Sequence, residues 1–268
     1  MQPMLNSALG VARTAGEIIS RATEQVDLIE IDTKGRSDFI YKVKSASEQC
    51  IMNGLQKRYP GHSFHTKDAE PIKGLDEEKS HVWIINPLNG STNFINGVPH
   101  FAISIALKVK SQVEIAVVLD PVRKEEFTAA RGRGAQMNGR RLRVNSRKTV
   151  PGALLATTSP EHQASIDKHI NILREFTYQC SGIRNAGTTS LDLAYVAAGR
   201  FDGFWGSDLN EWDVSAGTLL IQEAGGLVGD TSGGMDHLSS GTMVCAQPKL
   251  FKSMIQVIHP LTKNNASS

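Results

Sequence analysis

Residues 83–94, WIINPLNGSTNF, place an apolar strand before a turn of small polar residues. Trp83, Ile84 and Ile85 suit a buried strand, Pro87 is expected to end it, and Gly90-Ser91-Thr92 then opens a helix. The first N–H groups of a helix have no partner within it and sit at the positive end of its dipole, so such a turn offers donors to a phosphate. An Asn-Gly pair also marks ordinary turns, and both readings stand at this point. The amides at Asn86 and Asn89 raise a question: a turn of this shape over a metal-dependent phosphate site calls for carboxylates there.

Other residues with chemical potential are fewer. In NEWDVSAG (210–217), Asp213 stands where a helix begins; it is either an N-cap or a carboxylate turned toward a metal or phosphate. Gly187 to Ser190 open another helix with small residues that suit a pocket wall or a cap. Arg131, Arg133, Arg140, Arg141, Arg143, Arg147 and Lys148 form a basic stretch. Arginine pairs bidentately with phosphate, yet no aromatic residue is interleaved to stack bases. The plainer reading is a solvated face, and RNA contact is not expected to be primary. His62 and His65 are the closest histidine pair and fit a surface strand or loop. No nucleophile elbow and no Walker loop is present.

The elements that must position these residues fall into two blocks. Leu5, Ala8, Val11, Ala12, Ala15, Ile18 and Ile19 recur at helical spacing, which predicts a helix over 4–22, and a second follows over 45–59. From 82 to 144, apolar runs and period-two patterns broken by Gly, Pro and Asn predict a mostly antiparallel sheet. From 150 onward strands and helices alternate: strand ALLATTS, helices over 165–180, 188–198, 213–224 and 250–258, and strands GLVGD and TMVCA. Two such blocks indicate an α+β layered fold, with an N-terminal unit over 1–150 and a C-terminal unit over 151–268.

Composition narrows the class further. The 268 residues are 40% hydrophobic and carry a formal net charge of +2, which gives no strong pull toward nucleic acid or membrane. Cys50, Cys180 and Cys245 are widely spaced, without metal or CxxC spacing, and read as reduced thiols. With no signal-like segment and no apolar run of membrane length, a cytoplasmic protein is expected.

Long stretches of the chain resemble the inositol monophosphatase family, in its bacterial SuhB-like branch. They include MLNSALGVARTAGEII, WIINPLNGSTNFINGVPHFAISIA, VVLDPVRKEEFTAARGRGAQMNGRRLRV, SLDLAYVAAGRFDGFW and EWDVSAGTLLIQEAGG. The resemblance implies a five-layered αβαβα sandwich of the inositol monophosphatase and sugar phosphatase type, commonly dimeric, with the site between the two units. It also implies phosphate monoester hydrolysis with two or three Mg²⁺ ions. Their ligands come from a Glu at a strand end, from D-P-[LI]-D-G-[ST]-T and from the Asp of W-D, with help from the Asp of a T-x-x-D segment.

Carried over by position, that pattern breaks at the metal ligands. Lys67 falls on the first Glu of the family's pair, Asn86 and Asn89 on the two Asp, and Tyr41 and Lys44 on the Thr and Asp of T-x-x-D. Asp213, the Leu88 carbonyl and Gly90-Ser91-Thr92 remain, while Gly206 stands near the position of a Glu that contacts inositol in relatives. Lys for Glu at 67 and Lys for Asp at 44 each add two units of positive charge, and Asn for Asp at 86 and 89 one unit apiece. Mg²⁺ needs anionic oxygen in near-octahedral array, so neither a catalytic residue nor a metal or other cofactor is expected.

The expectation is therefore a pseudo-phosphatase in which Lys67 pairs with Asp213. It would act by binding a protein partner, by resemblance in the transcription machinery, or a phosphate-like anion at Gly90-Ser91-Thr92, and would be a homodimer. The alternative is weak or redirected Mg²⁺-dependent phosphatase activity, with Mg²⁺ held by Asp68, Leu88 and Asp213 and help from Glu70.

Overall fold

The computed structural model describes residues 1–26, 33–67, 71–75 and 80–263. Two helices open the chain, α1 (Gln2–Val26) and α2 (Thr33–Gln56). A seven-stranded sheet follows in sequential order: β1 (Ser63–Thr66), β2 (His81–Asn89), β3 (Ala102–Val109), β4 (Gln112–Asp120), β5 (Glu125–Ala130), β6 (Gly134–Met137) and β7 (Arg140–Arg141). Only β1 and β2 pair in parallel; the other neighbours are antiparallel. Short helix α3 (Ser91–Ile95) sits between β2 and β3.

The second half contributes β8 (Leu154–Thr157), α4 (Gln163–Gln179), β9 (Gly182–Arg184), α5 (Thr189–Ala197), β10 (Gly203–Gly206), α6 (Glu211–Glu223), β11 (Leu227–Gly229), α7 (His237–Ser240), β12 (Met243–Ala246) and α8 (Pro248–Lys263). Its five strands are ordered β11-β12-β10-β8-β9, parallel across β10-β8-β9 and antiparallel at β12.

Alternation along the strands decides the layering, because successive side chains point to opposite faces. In β2, Trp83 and Ile85 pack with Ala8, Ala12, Ala15 and Ile19 of α1, whereas Ile84 joins the cluster of α5 and α6. In β10, Phe204 faces that same central cluster, while Trp205 faces Phe176 of α4 and Met254 of α8. Both sheets are thus covered on both faces, giving α1/α2, sheet, α5/α6, sheet, α4/α8. This is the α+β, five-layered αβαβα arrangement that the resemblance implies. Each large side chain buried in these layers stabilises by about 1.5–3 kcal/mol.

The central layer has no polar side. Every residue of α5 is buried, and Val214 to Ile221 of α6 are buried without interruption. Their close approach depends on Gly217, where an added Cβ would come within 2.5 Å of the Leu193 side chain.

Two boundaries differ from the sequence expectation. The second helix begins at Thr33 rather than Ser45. Strand β2 continues past Pro87 to Asn89, because the register with β3 shifts between Asn86 and Asn89 and leaves the proline outside the ladder. His62 lies in the loop before β1 and is half-buried: it stacks 4.5 Å from His81 and 5.0 Å from Tyr59, and accepts a hydrogen bond from Trp83 Nε1 at 3.0 Å.

Candidate functional site

The end of β2, the start of α6 and the start of α5 meet at one buried carboxylate. Asp213 lies in the first turn of α6, whose N-cap position is held by Asn210. Asp213 is therefore not the cap, and its side chain turns to the sheet. Asn86 Nδ2 donates to Asp213 Oδ1 at 2.9 Å, and Asn89 Nδ2 donates to the same oxygen at 3.0 Å. The orientation of Asn89 is fixed from its other end, since the Ser190 N–H at the start of α5 donates to Asn89 Oδ1 at 3.1 Å. An amide rotated the other way would set its nitrogen against that N–H and its oxygen against a carboxylate. Asn86 is 1% exposed, and its Oδ1 has no hydrogen-bond partner.

Burial is the largest influence on Asp213 and raises its pKa; Lys67 and the Asn86 amide act in the opposite direction. Lys67 is exposed at the end of β1 and lines the same cleft. Among the described residues no direct ion pair joins Lys67 to Asp213, so the expected pairing is a through-space attraction rather than a contact. Asp68 and Glu70 lie outside the described residues.

The cleft, about 170 Å³ in volume, is also lined by Gly90, Ser91 and Thr92, as the sequence places them. Gly90 has φ of 89°, and a Cβ there would come within 2.4 Å of Thr188 Oγ1, so glycine is required both for the turn and for the close approach of α5. Thr188 is the N-cap residue of α5, but its hydroxyl donates to the His100 carbonyl at 2.8 Å rather than capping. Sequence reasoning missed Glu161 and Asp208 on the opposite wall; the chain distance between β2 and these loops leaves no local signal for their convergence. Asp208 accepts from the His162 N–H and the Ser165 hydroxyl, which hold its pKa below the usual value against the effect of burial.

The remaining candidates lie elsewhere. Lys44 is on α2, outside the cleft lining, and α2 is tied to the β2 bulge by Ser47 Oγ donating to the Pro87 carbonyl at 2.9 Å. The Leu88 side chain is buried in the core beneath α1 and α2. The basic stretch is only partly a free face. Arg131 pairs with Glu114 at 3.2 Å and Arg147 with Asp202 at 3.2 Å, while Arg140 and Arg141 are exposed on edge strand β7.

Among the described residues, this donor set does not fit Mg²⁺. The one carboxylate facing both amides already has an oxygen occupied by two N–H donors, Asn89 Oδ1 is engaged by Ser190, and an ammonium lines the cleft. Among the described residues no group of three or more His, Cys, Asp or Glu has metal-holding geometry. No described helix is long and apolar enough to cross a membrane.

Comparison with known proteins places this geometry in context. The profile of the inositol monophosphatase family matches residues 1–263. A Pseudomonas aeruginosa protein named Nus factor SuhB is 52% identical over 263 residues, 97% of each chain. The Nus factor SuhB of Escherichia coli is 43% identical over 256 residues, 95% of each chain. Among solved structures, the extragenic suppressor protein suhB of Bartonella henselae superposes with a TM-score of 0.88 at 36% identity, covering 96% of this chain and 98% of that one. An inositol monophosphatase from Anabaena superposes with a TM-score of 0.84 at 25% identity, covering 97% and 96%.

Proposed function

This chain belongs to the inositol monophosphatase family, and we propose that it is a SuhB-like member that has lost Mg²⁺-dependent phosphatase chemistry and acts by binding a partner in the transcription machinery. The observation that carries this reading is the Asn86–Asp213–Asn89 arrangement. Two amides neutralise the geometry of a buried carboxylate without a cation, so the fold keeps the site's shape while its affinity for Mg²⁺ is gone. The names of the two Nus factor relatives support the transcription role. The protein is cytoplasmic and a homodimer in this reading.

Within it, a protein partner is favoured over a free phosphate-like anion at Gly90-Ser91-Thr92. Glu161, Asp208 and Asp213 line the same cleft as Lys67, and three carboxylates around one ammonium repel a dianion.

The test is phosphate release from inositol 1-phosphate with millimolar Mg²⁺, comparing the native chain with Lys44→Asp/Lys67→Glu/Asn86→Asp/Asn89→Asp. Silence from the native chain and turnover by the quadruple variant are expected. Mg²⁺-dependent turnover by the native chain would overturn the reading and point to Asp68. Co-elution of the native chain with RNA polymerase and Nus factors from the same cell tests the partner; failure to co-elute under low salt would count against it.

A further inference from the structure

A second and larger cavity, about 410 Å³, lies on the other side of β10 between α4, α8 and the loops flanking α7. Its charge is the reverse of the cleft's. Lys168, His169 and His259 line it, with hydroxyls from Ser207 and Thr242, and none of its lining residues is a carboxylate.

Several of its hydroxyls are spent within the protein, Ser165 on Asp208 and Ser232 on Asp230, but its nitrogen donors are not. Trp205 is 1% exposed and its indole N–H has no acceptor. The side chains of Lys168, His169 and His259 make no hydrogen bond or ion pair among the described residues. His169 is 7% exposed, stacked at 6.0 Å on Trp205, and burial lowers its pKa. A buried donor without an acceptor costs about 1–3 kcal/mol, so the Trp205 N–H, with the partly exposed Lys168 and His259 on the same cavity, has something to gain from a ligand with acceptor oxygens. Ile172 and the two ring edges make the wall largely apolar, and the volume is that of a small-molecule site.

We infer that this cavity binds a small organic anion, a carboxylate or phosphate ester on a body the size of one ring. The anionic head meets Lys168 and His259, and the body lies against Ile172 and the edges of His169 and Trp205. This site is separate from the cleft around Asp213, although Ser207 lines both.

The protein has three tryptophans, so the indole N–H of Trp205 can be followed in the ¹⁵N-labelled chain while phenyl phosphate, benzoate and the uncharged benzyl alcohol are titrated separately. Saturable movement of that resonance is expected with phenyl phosphate, with benzoate or with both, the pattern identifying the head group, and not with benzyl alcohol. Lys168→Gln and His259→Gln, both at partly or fully exposed positions, should each weaken binding about tenfold, and Lys67→Gln should leave it unchanged. The inference fails if benzyl alcohol matches the anions, if neither anion moves the resonance, or if binding responds to Lys67→Gln but not to the other two variants.

Discussion

Asn89 and Asp213 lie 124 positions apart in the chain and meet at 3.0 Å, nitrogen to carboxylate oxygen. The amide bridges two central helices, accepting from Ser190 of α5 while donating to Asp213 of α6. A carboxylate at 89 would keep the first bond and turn the second into a repulsion.

Asn89→Asp is therefore expected to lower stability by about 1–3 kcal/mol in the absence of divalent ions, since it leaves two buried carboxylates in contact. Urea denaturation with and without Mg²⁺ reads this directly. Recovery of the loss in millimolar Mg²⁺ by Asn86→Asp/Asn89→Asp would show that acidic residues alone rebuild a cation site. No recovery would assign an essential part to Lys67.

Asp213 itself titrates against burial. Its folded pKa lies above the ordinary value of 3.8, so its contribution to stability is full below that value and is lost as pH rises through the folded pKa. Lys67→Gln removes an attraction that favours the charged form and should move the Asp213 pKa further up. Carboxyl ¹³C chemical shifts followed against pH check the direction. An unchanged pKa would mean that Lys67 is solvated away from the site.

Asp192 on α5 is fully buried, with both carboxylate oxygens unpartnered, and burial raises its pKa well above the ordinary value. Folding at neutral pH therefore requires this group to take up a proton or to be buried charged. Asp192→Asn should raise stability at pH 7, and the gain should shrink as pH falls toward 3.8 and vanish below it, where the carboxyl is neutral in both states. Thermal melts of both chains at pH 7 and pH 4 test this. A gain that does not depend on pH would place the effect in packing instead.

Arg200 grips Glu125 through two nitrogens, at 2.6 and 2.5 Å, and lies 4.6 Å over the Tyr195 ring. Its hydrogen bonds are the main reason that the Glu125 pKa is lowered. Arg200→Ala should cost about 1 kcal/mol at neutral pH, given that the pair is partly exposed. Glu125 stabilises above its unfolded pKa and loses that effect as pH falls through the folded one, so the cost should fade in acid. Denaturation midpoints at neutral and acidic pH are the check.

The fold was legible where burial acts on both faces of an element. Ile84-Ile85 and Ile103 to Leu107 announce strands because, Ser104 apart, every position is apolar. The start of α2 was hidden, since Gly35, Arg36, Ser37, Asp38 and an exposed Tyr41 leave only Phe39 and Ile40 apolar in its first turns. Strand β10, Gly203 to Gly206, was hidden as well, having glycine at both ends. Pro87 misled because a bulge, which depends on the partner strand, shelters it. At the site, the Asn86 and Asn89 amides stood out in the turn itself, but Lys67 was legible only through resemblance. The convergence of the amides on Asp213, and of Glu161 and Asp208 on the opposite wall, depends on layers far apart in sequence.

The contact of Gly217 with Leu193 has a mechanical meaning. With no side chain between them, α5 and α6 have no slack, and neither can shift along the other without a clash. Ser190 and Asp213 ride on this pair as on one stiff plate, gripped from the sheet beside it by the amides of Asn86 and Asn89. Asn86 and the Lys108–Glu211 pair tie α6 to the same sheet, so the start of α6 is held at several points, whereas Ser190 of α5 is held through Asn89.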